Sequence, residues 1–149
     1  MATIRLPTEF KEFLRLLNAK QVEYLLVGGH SVSFYGHARS TGDIDIWIRL
    51  SQKNASRLSK ALVEFGFAAA NVPSRLFLDK KKVFRIGVPP LRIDILPDIS
   101  GVTFKECYAE RNVAVIDGVE VSVISLRHLK QNKSASGRHK DLDDLESLP

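Results

Sequence analysis

The sequence predicts an α+β fold, a mixed β-sheet with helices packed against it. Three observations carry that expectation. Apolar residues recur at helical spacing near both ends of the chain, they alternate at strand spacing in the middle, and a two-residue hairpin signal, Asp117-Gly118, stands late between two strand-like runs. Helices and strands that alternate early, followed by a hairpin, fit a mixed sheet better than two separated layers. At 149 residues the chain is expected to form one domain, residues 1–149, and is too short for two comfortable ones.

Each element follows from local pattern. Pro7-Thr8 open a helix with Phe10, Phe13, Leu14 and Leu17 on one face. Val22 to Val27 is a short buried strand stopped by Gly28-Gly29, and a short helix from about His30 to Tyr35 ends at Gly36. A polar loop then leads into a strand, Asp43 to Ile48. Ser51 is the N-cap of a helix striped by Ala55, Leu58, Ala61, Leu62 and Phe65 and closed by Gly66. Strands are expected around Leu76–Leu78 and Val83–Val88, with Lys80-Lys81-Lys82 as the hairpin tip between them. Pro89-Pro90 turns the chain into a further strand, Leu91–Leu96. Thr103 to Glu110 reads as helical, and Val113–Ile116 and Val119–Val123 flank the Asp117-Gly118 turn. The C-terminal segment is helical, with Leu126, Leu129, Leu142, Leu145 and Leu148 as its apolar positions and a break near Ser134–Gly137.

Composition narrows the function classes. A chain 44% hydrophobic and 26% charged is neither fibrous nor disordered. No Cys/His cluster has zinc-like spacing, and one cysteine, Cys107, excludes an internal disulfide. The apolar run Tyr24–Val27 is far short of a membrane span and no leader-like segment precedes it, so the expected location is cytoplasmic, with no membrane partner. A net charge of +5 is compatible with an anionic partner, such as a nucleotide or RNA.

The chemistry is concentrated in Gly42-Asp43-Ile44-Asp45-Ile46-Trp47-Ile48. On a strand, Asp43, Asp45 and Trp47 share one face while the isoleucines share the other. The two aspartates sit roughly 6–7 Å apart at Cα, close enough for their carboxylates to converge on one small object. Arg92-Ile93-Asp94-Ile95-Leu96 repeats the anomaly, with Asp94 between two core-facing isoleucines. If the two strands are neighbours, three carboxylates gather, and hard divalent cations such as Mg²⁺ take such oxygen ligands together with substrate phosphates. Taken singly, Asp43 is an ordinary turn residue and Asp94 an ordinary ion-pair partner for Arg92; the three together favour metal. Upstream, Val27-Gly28-Gly29-His30-Ser31 joins a strand to a helix, where glycines allow close backbone approach and free N–H groups attract phosphate.

Gly28-Gly29, thirteen residues, then Asp43-Ile44-Asp45-Ile46 resembles the signature of the DNA polymerase β-like nucleotidyltransferase superfamily. Asp94 suits its third carboxylate, and Arg39-Ser40-Thr41-Gly42-Asp43 looks like the Arg-x-Thr-x-Asp lead-in of its small bacterial and archaeal members. The match covers roughly residues 24–96. The resemblance implies a nucleotidyltransferase fold with catalytic elements at about 22–96 and a C-terminal hairpin and helices at 113–149. It implies a metal-dependent enzyme that moves an NMP from an NTP, ATP first, to an acceptor hydroxyl with release of pyrophosphate. Asp43 and Asp45 would hold both Mg²⁺ (or Mn²⁺) ions, and Asp94 would join them at the catalytic one and help deprotonate the acceptor. Gly28, Gly29 and Ser31 would cradle the phosphates, with Arg39 and Thr41 beside them.

The C-terminal pattern, Lys130 through Arg138, Lys140, Asp141 and Asp144, resembles the last helices of small nucleotidyltransferases linked to abortive infection and toxin–antitoxin systems. There a Lys or Arg reaches back to the triphosphate, which nominates Lys130 and Arg138 and raises the prospect of a cognate toxin or antitoxin partner. As a bare sequence the same stretch is a solvated helix with a Lys140–Asp144 pair. His30, His37 and Cys107 read as structural residues, Trp47 as core, and the three lysines as a solvated tip. The acceptor stays open among a protein side chain, a tRNA end and a small molecule. The competing reading is a catalytically inert binding module of the same fold.

Overall fold

The computed structural model describes residues 4–36, 42–88 and 90–149. One six-stranded sheet organises them. In chain order the elements are α1 (Thr8–Ala19), β1 (Tyr24–Val27), α2 (Gly28–Phe34), β2 (Asp43–Ile48), α3 (Gln52–Phe65), β3 (Phe84–Val88), β4 (Leu91–Leu96), α4 (Phe104–Ala109), β5 (Asn112–Ile116), β6 (Val119–Val123), α5 (Leu126–Ser136) and α6 (His139–Ser147). Across the sheet the strand order is β3-β4-β2-β1-β6-β5. β2 runs antiparallel to β1 and parallel to β4, and β1 is parallel to β6, so the sheet is mixed as expected.

The pleat divides the core in two. Tyr24 and Leu26 of β1, the isoleucines of β2, and Ile93 and Ile95 of β4 point to one face and join Phe10, Phe13 and Leu17 of α1 and Leu58 and Leu62 of α3. Leu25 and Val27 of β1 and Trp47 of β2 point to the other, with Cys107 of α4, Leu129 of α5 and Leu148. The first face is fully covered; on the second the aspartates follow Trp47 and the apolar layer gives way to a cleft.

Several local expectations are met for the stated reasons. Ser51 caps α3 by accepting a hydrogen bond from the Asn54 N–H, and Gly66 closes the helix. Asp117 and Gly118 both take positive φ, 49° and 81°, the geometry a two-residue turn needs to match strand twist. Trp47 is buried edge-to-face against Phe104 at 5.1 Å, and Cys107 is buried with its thiol pushed up to about 11, mainly by burial.

Others need correction. Residues 76–78 are not a strand: Ser74–Leu78 forms a 3₁₀ turn after Pro73, and its single inward residue, Phe77, packs on Phe84 at 5.3 Å. Lys80–Lys82 therefore lead from that turn into β3 and tip no hairpin. The short helix begins two residues earlier than expected, at Gly28. Of the leucines expected to line the last helix, Leu148 is buried and Leu145 half-buried, but Leu142 is exposed, and Asp141 and Asp144 turn inward instead.

Asn54 ties the pieces together. Its side chain accepts from the Glu23 N–H at 2.7 Å and donates to the Glu23 and Arg49 carbonyls at 3.0 and 2.9 Å, clipping α3 to the open end of the β1–β2 pair. Asn54→Ala leaves the Glu23 N–H and the Arg49 carbonyl without this partner, while the Glu23 carbonyl keeps the Arg49 N–H, and should cost about 2–3 kcal/mol, read as a lower urea midpoint with an unchanged slope.

Candidate active site

The cleft on the second face is set by strand register. β2 and β4 pair in parallel so that Asp43 lies opposite Arg92, and Asp45 opposite Asp94. β1 pairs Val27 with Asp45, which brings Gly28 against that carboxylate. Gly28 has φ +68°, and a Cβ there would stand 2.1 Å from Asp45 Oδ2. Gly42 is required from the other side: a Cβ on it would fall 1.7 Å from the Pro90 carbonyl, just where that carbonyl passes and Gly42 O accepts the Arg92 N–H. The two glycines flanking the aspartate strand let neighbouring backbone close around it.

Arg92 lies among the three carboxylates. Arg92 donates through Nη2 to Asp43 Oδ2 at 3.0 Å and to Asp94 Oδ2 at 3.3 Å. Its Nε stands 3.0 Å from Asp94 Oδ1, yet neither atom makes an aligned hydrogen bond, so that contact is an attraction of charges without hydrogen-bond geometry. Arg85, across from Asp94 on β3, approaches the same oxygen at 3.7 Å. Among the described residues Asp45 makes no hydrogen bond or ion pair. Burial first, then the charges of Asp94 and Asp43, push its carboxyl up to about 6, against the smaller opposing effect of Lys133 and Lys140.

As the side chains lie, no three His, Cys, Asp or Glu among the described residues are arranged to hold a metal ion. The donor set suits one all the same. Hard carboxylate oxygens are what Mg²⁺ and Mn²⁺ prefer. Asp94 Oδ1 is buried without a hydrogen bond. Asp45 has no counter-charge in contact among the described residues, and a divalent cation would supply positive charge beside it.

The cleft encloses about 590 Å³, within the range of small-molecule sites. Its lining carries five carboxylates, those of Asp43, Asp45, Asp94, Asp98 and Asp141, and five cations, those of Arg85, Arg92, Lys133, Arg138 and Lys140. Of the residues nominated from sequence, Gly28, Asp43, Asp45, Asp94 and Arg138 come together on this lining. Gly29 and Ser31 are buried behind it in α2, where the Ser31 hydroxyl donates to the Gly28 carbonyl at 2.6 Å. Lys130 stands on α5 outside the lining. Arg39 and Thr41 lie outside the described residues, as does His37. His30 is buried edge-on to Phe10, and burial lowers its pKa despite the nearby charge of Asp43.

Lys133 is the residue sequence reasoning passed over. It is 5% exposed, and its ammonium reaches Asp141 at 2.8 Å and Asp144 at 3.1 Å. The signal was present: Leu126, Leu129 and Lys133 share one helical face, so Lys133 occupies an apolar position and needs buried partners. Burial alone would raise the Asp141 carboxyl, but hydrogen bonds from Lys133, Ser136 and Arg138 outweigh it and hold it at about 2. The ion cluster joins α5 to α6 and presents Arg138 and Lys140 at the rim. Lys133→Met should cost about 3 kcal/mol by removing the buried ammonium that Asp141 and Asp144 share, measured by thermal unfolding.

Asp45 has a folded-state pKa above its ordinary 3.8, so folding favours its neutral form. That contribution is present below pH 4 and is lost as pH rises through 6. Asp45→Asn should therefore be more stable than wild type at pH 7 by about 1–2 kcal/mol, after allowance for solvent screening, and level with it at pH 4. A carboxyl NMR titration of Asp94→Asn should show the Asp45 midpoint moved down.

Comparison with known proteins places this geometry. A family model for aminoglycoside-2''-adenylyltransferase matches residues 9–148, nearly the whole chain. Six chains of solved structures match. One, from Thermotoga maritima and described as a "putative nucleotidyltransferase", superposes with a TM-score of 0.63 at 15% identity, over 93% of this chain and 88% of that one. No curated protein matches the sequence. No helix among the described residues is long and apolar enough to cross a membrane.

Proposed function

Because this chain belongs to the aminoglycoside-2''-adenylyltransferase family, within the minimal nucleotidyltransferases, we propose that it transfers an NMP from an NTP, with ATP as the first candidate, to a hydroxyl of a small amino-sugar acceptor. The acceptor class comes from the family's description, and it narrows a choice among protein, tRNA and small molecule that the sequence leaves open. A toxin–antitoxin partner has no support beyond the C-terminal pattern.

What supports a reaction at this cleft is the uncompensated Asp45 carboxylate beside Asp94. Asp45, buried beside Asp94 with no ion-pair partner among the described residues, is costly to the fold as a carboxylate, and a site for a divalent cation gives that cost a purpose. Asp43, Asp45 and Asp94 would hold Mg²⁺ or Mn²⁺, which when bound supplies charge neutralisation at the α-phosphate and the departing pyrophosphate. Arg138 and Lys140 at the rim offer cationic partners to the β- and γ-phosphates, held in place through Asp141 and the buried Lys133. The acceptor oxygen attacks the α-phosphorus, its proton passes to Asp94, and the bond to the bridging oxygen breaks to release pyrophosphate. Positioning and charge carry most of such a reaction.

The inert-module reading draws on one specific observation: Arg92 spans Asp43 and Asp94 as a structural ion pair would. Label transfer separates the two. Wild type incubated with α-labelled ATP, Mg²⁺ and a panel of aminoglycosides should yield labelled product, and Asp43→Ala/Asp45→Ala should lose at least about a thousandfold of the rate. Absence of transfer from all four NTPs to aminoglycosides, bulk tRNA and lysate proteins would leave the inert module standing.

A further inference from the structure

We infer that Arg92 is a displaceable internal counter-ion, which holds Asp43 and Asp94 while the carboxylate cluster has no divalent cation and gives way when one loads. The inference rests on the cation reading proposed above.

Strand register makes the arrangement. Arg92 and Asp94 are two residues apart on β4 and so share a face, and pairing with β2 sets Arg92 against Asp43 and Asp94 against Asp45. Arg92 is thus inserted among the carboxylates from the Asp43 side, with Arg85 approaching Asp94 from β3 at 3.7 Å. The insertion is imperfect. Nη2 is divided between two carboxylates at 3.0 and 3.3 Å, while Nε and Asp94 Oδ1 face each other at 3.0 Å, both buried, without aligned hydrogen bonds. A bidentate Arg–carboxylate pair would use two parallel N–H bonds to one carboxylate. Here the guanidinium straddles two, which neutralises both without optimising either.

Arg92 also has somewhere to go. Its cross-strand neighbour on β3 is Gly87, which presents no side chain, while the next position on that face, Arg85, is largely exposed and already attracted to Asp94. The Arg92 side chain is 26% exposed, so its outer end meets solvent in the cleft. A cation taken up by Asp43 and Asp94 would compete for the same oxygens Arg92 now contacts. The guanidinium would then turn outward into the cleft where the proposed phosphates lie, the way its exposed outer end already faces. Arg92 is on this view a positioning residue: it keeps the empty cluster folded and sets how readily the cation enters.

Removing the competitor should tighten cation binding and weaken the cation-free protein together, and release of the guanidinium on loading separates a displaceable counter-ion from a fixed salt bridge. Mn²⁺ binding, followed by electron paramagnetic resonance and calorimetry without nucleotide, should be about tenfold tighter or more in Arg92→Gln than in wild type. The melting temperature of Arg92→Gln in EDTA should be lower, and its gain on adding Mg²⁺ larger. Arg92→Lys, with the charge retained on a different reach, should fall between and serves where the glutamine variant does not fold. In wild type, the Arg92 Nε–H signal should become mobile on NMR timescales when Mg²⁺ is added. Equal or weaker Mn²⁺ binding in Arg92→Gln, or an Arg92 signal unmoved by Mg²⁺, overturns the inference and leaves the cation reading intact. Failure of both wild type and variants to bind Mn²⁺ overturns the cation reading itself.

Discussion

The candidate site depends on the parallel pairing of β2 with β4. That pairing places Asp45 beside Asp94 on a half-covered face of the sheet, where water is partly excluded and like charges interact strongly. Shifting either strand by one residue would send the aspartates into the α1/α3 core and the isoleucines into the cleft, which is energetically prohibitive. The register is therefore held by the hydrophobic face alone, through Ile44, Ile46, Ile93 and Ile95. The carboxylates gather as a consequence of how their apolar neighbours pack. This division of labour lets one face stabilise the sheet while the opposite face bears electrostatic cost.

The molecule offsets that cost in two places with different means. At the cluster, Arg92 bridges Asp43 and Asp94 loosely and Asp45 is left with a raised proton affinity. A short distance away, Lys133, Asp141 and Asp144 form a buried ion cluster with ammonium–carboxylate contacts of 2.8 and 3.1 Å, and Asp141 is correspondingly acidic. The second cluster behaves as structure: it fixes α6 on α5 and so closes the side of the cleft. The first has its charge poorly matched, with Asp94 Oδ1 lacking an aligned donor. The two differ in how their charges are met, although both are built from the same kinds of side chain.

Family membership and fold agree with this reading at the level each can reach. The family match extends along almost the whole chain, whereas the likeness to the Thermotoga maritima structure concerns the fold. Both are consistent with a small catalytic unit whose wall is made by its own C-terminal helices, α5 and α6.

By itself the sequence determined the mixed sheet, the strand faces, the Asp117-Gly118 turn and the identity of the three carboxylates, because each is encoded in spacing of two or in local turn chemistry. It could not decide what the cations do. Arg92 as the partner of both Asp43 and Asp94, Lys133 rather than Lys130 as the inward lysine, and Gly28 as a contact for Asp45 follow from which strands and helices become neighbours. The same limit explains the Leu76–Leu78 error, where one inward Phe77 resembled a strand position. It also explains the last helix, where Leu142 is exposed while Asp141 and Asp144 join Leu148 on the buried face because a buried ammonium meets them there. Local pattern fixes which face a side chain occupies; only tertiary packing fixes which opposite charge it meets there, since electrostatic partners come from segments far apart in the chain.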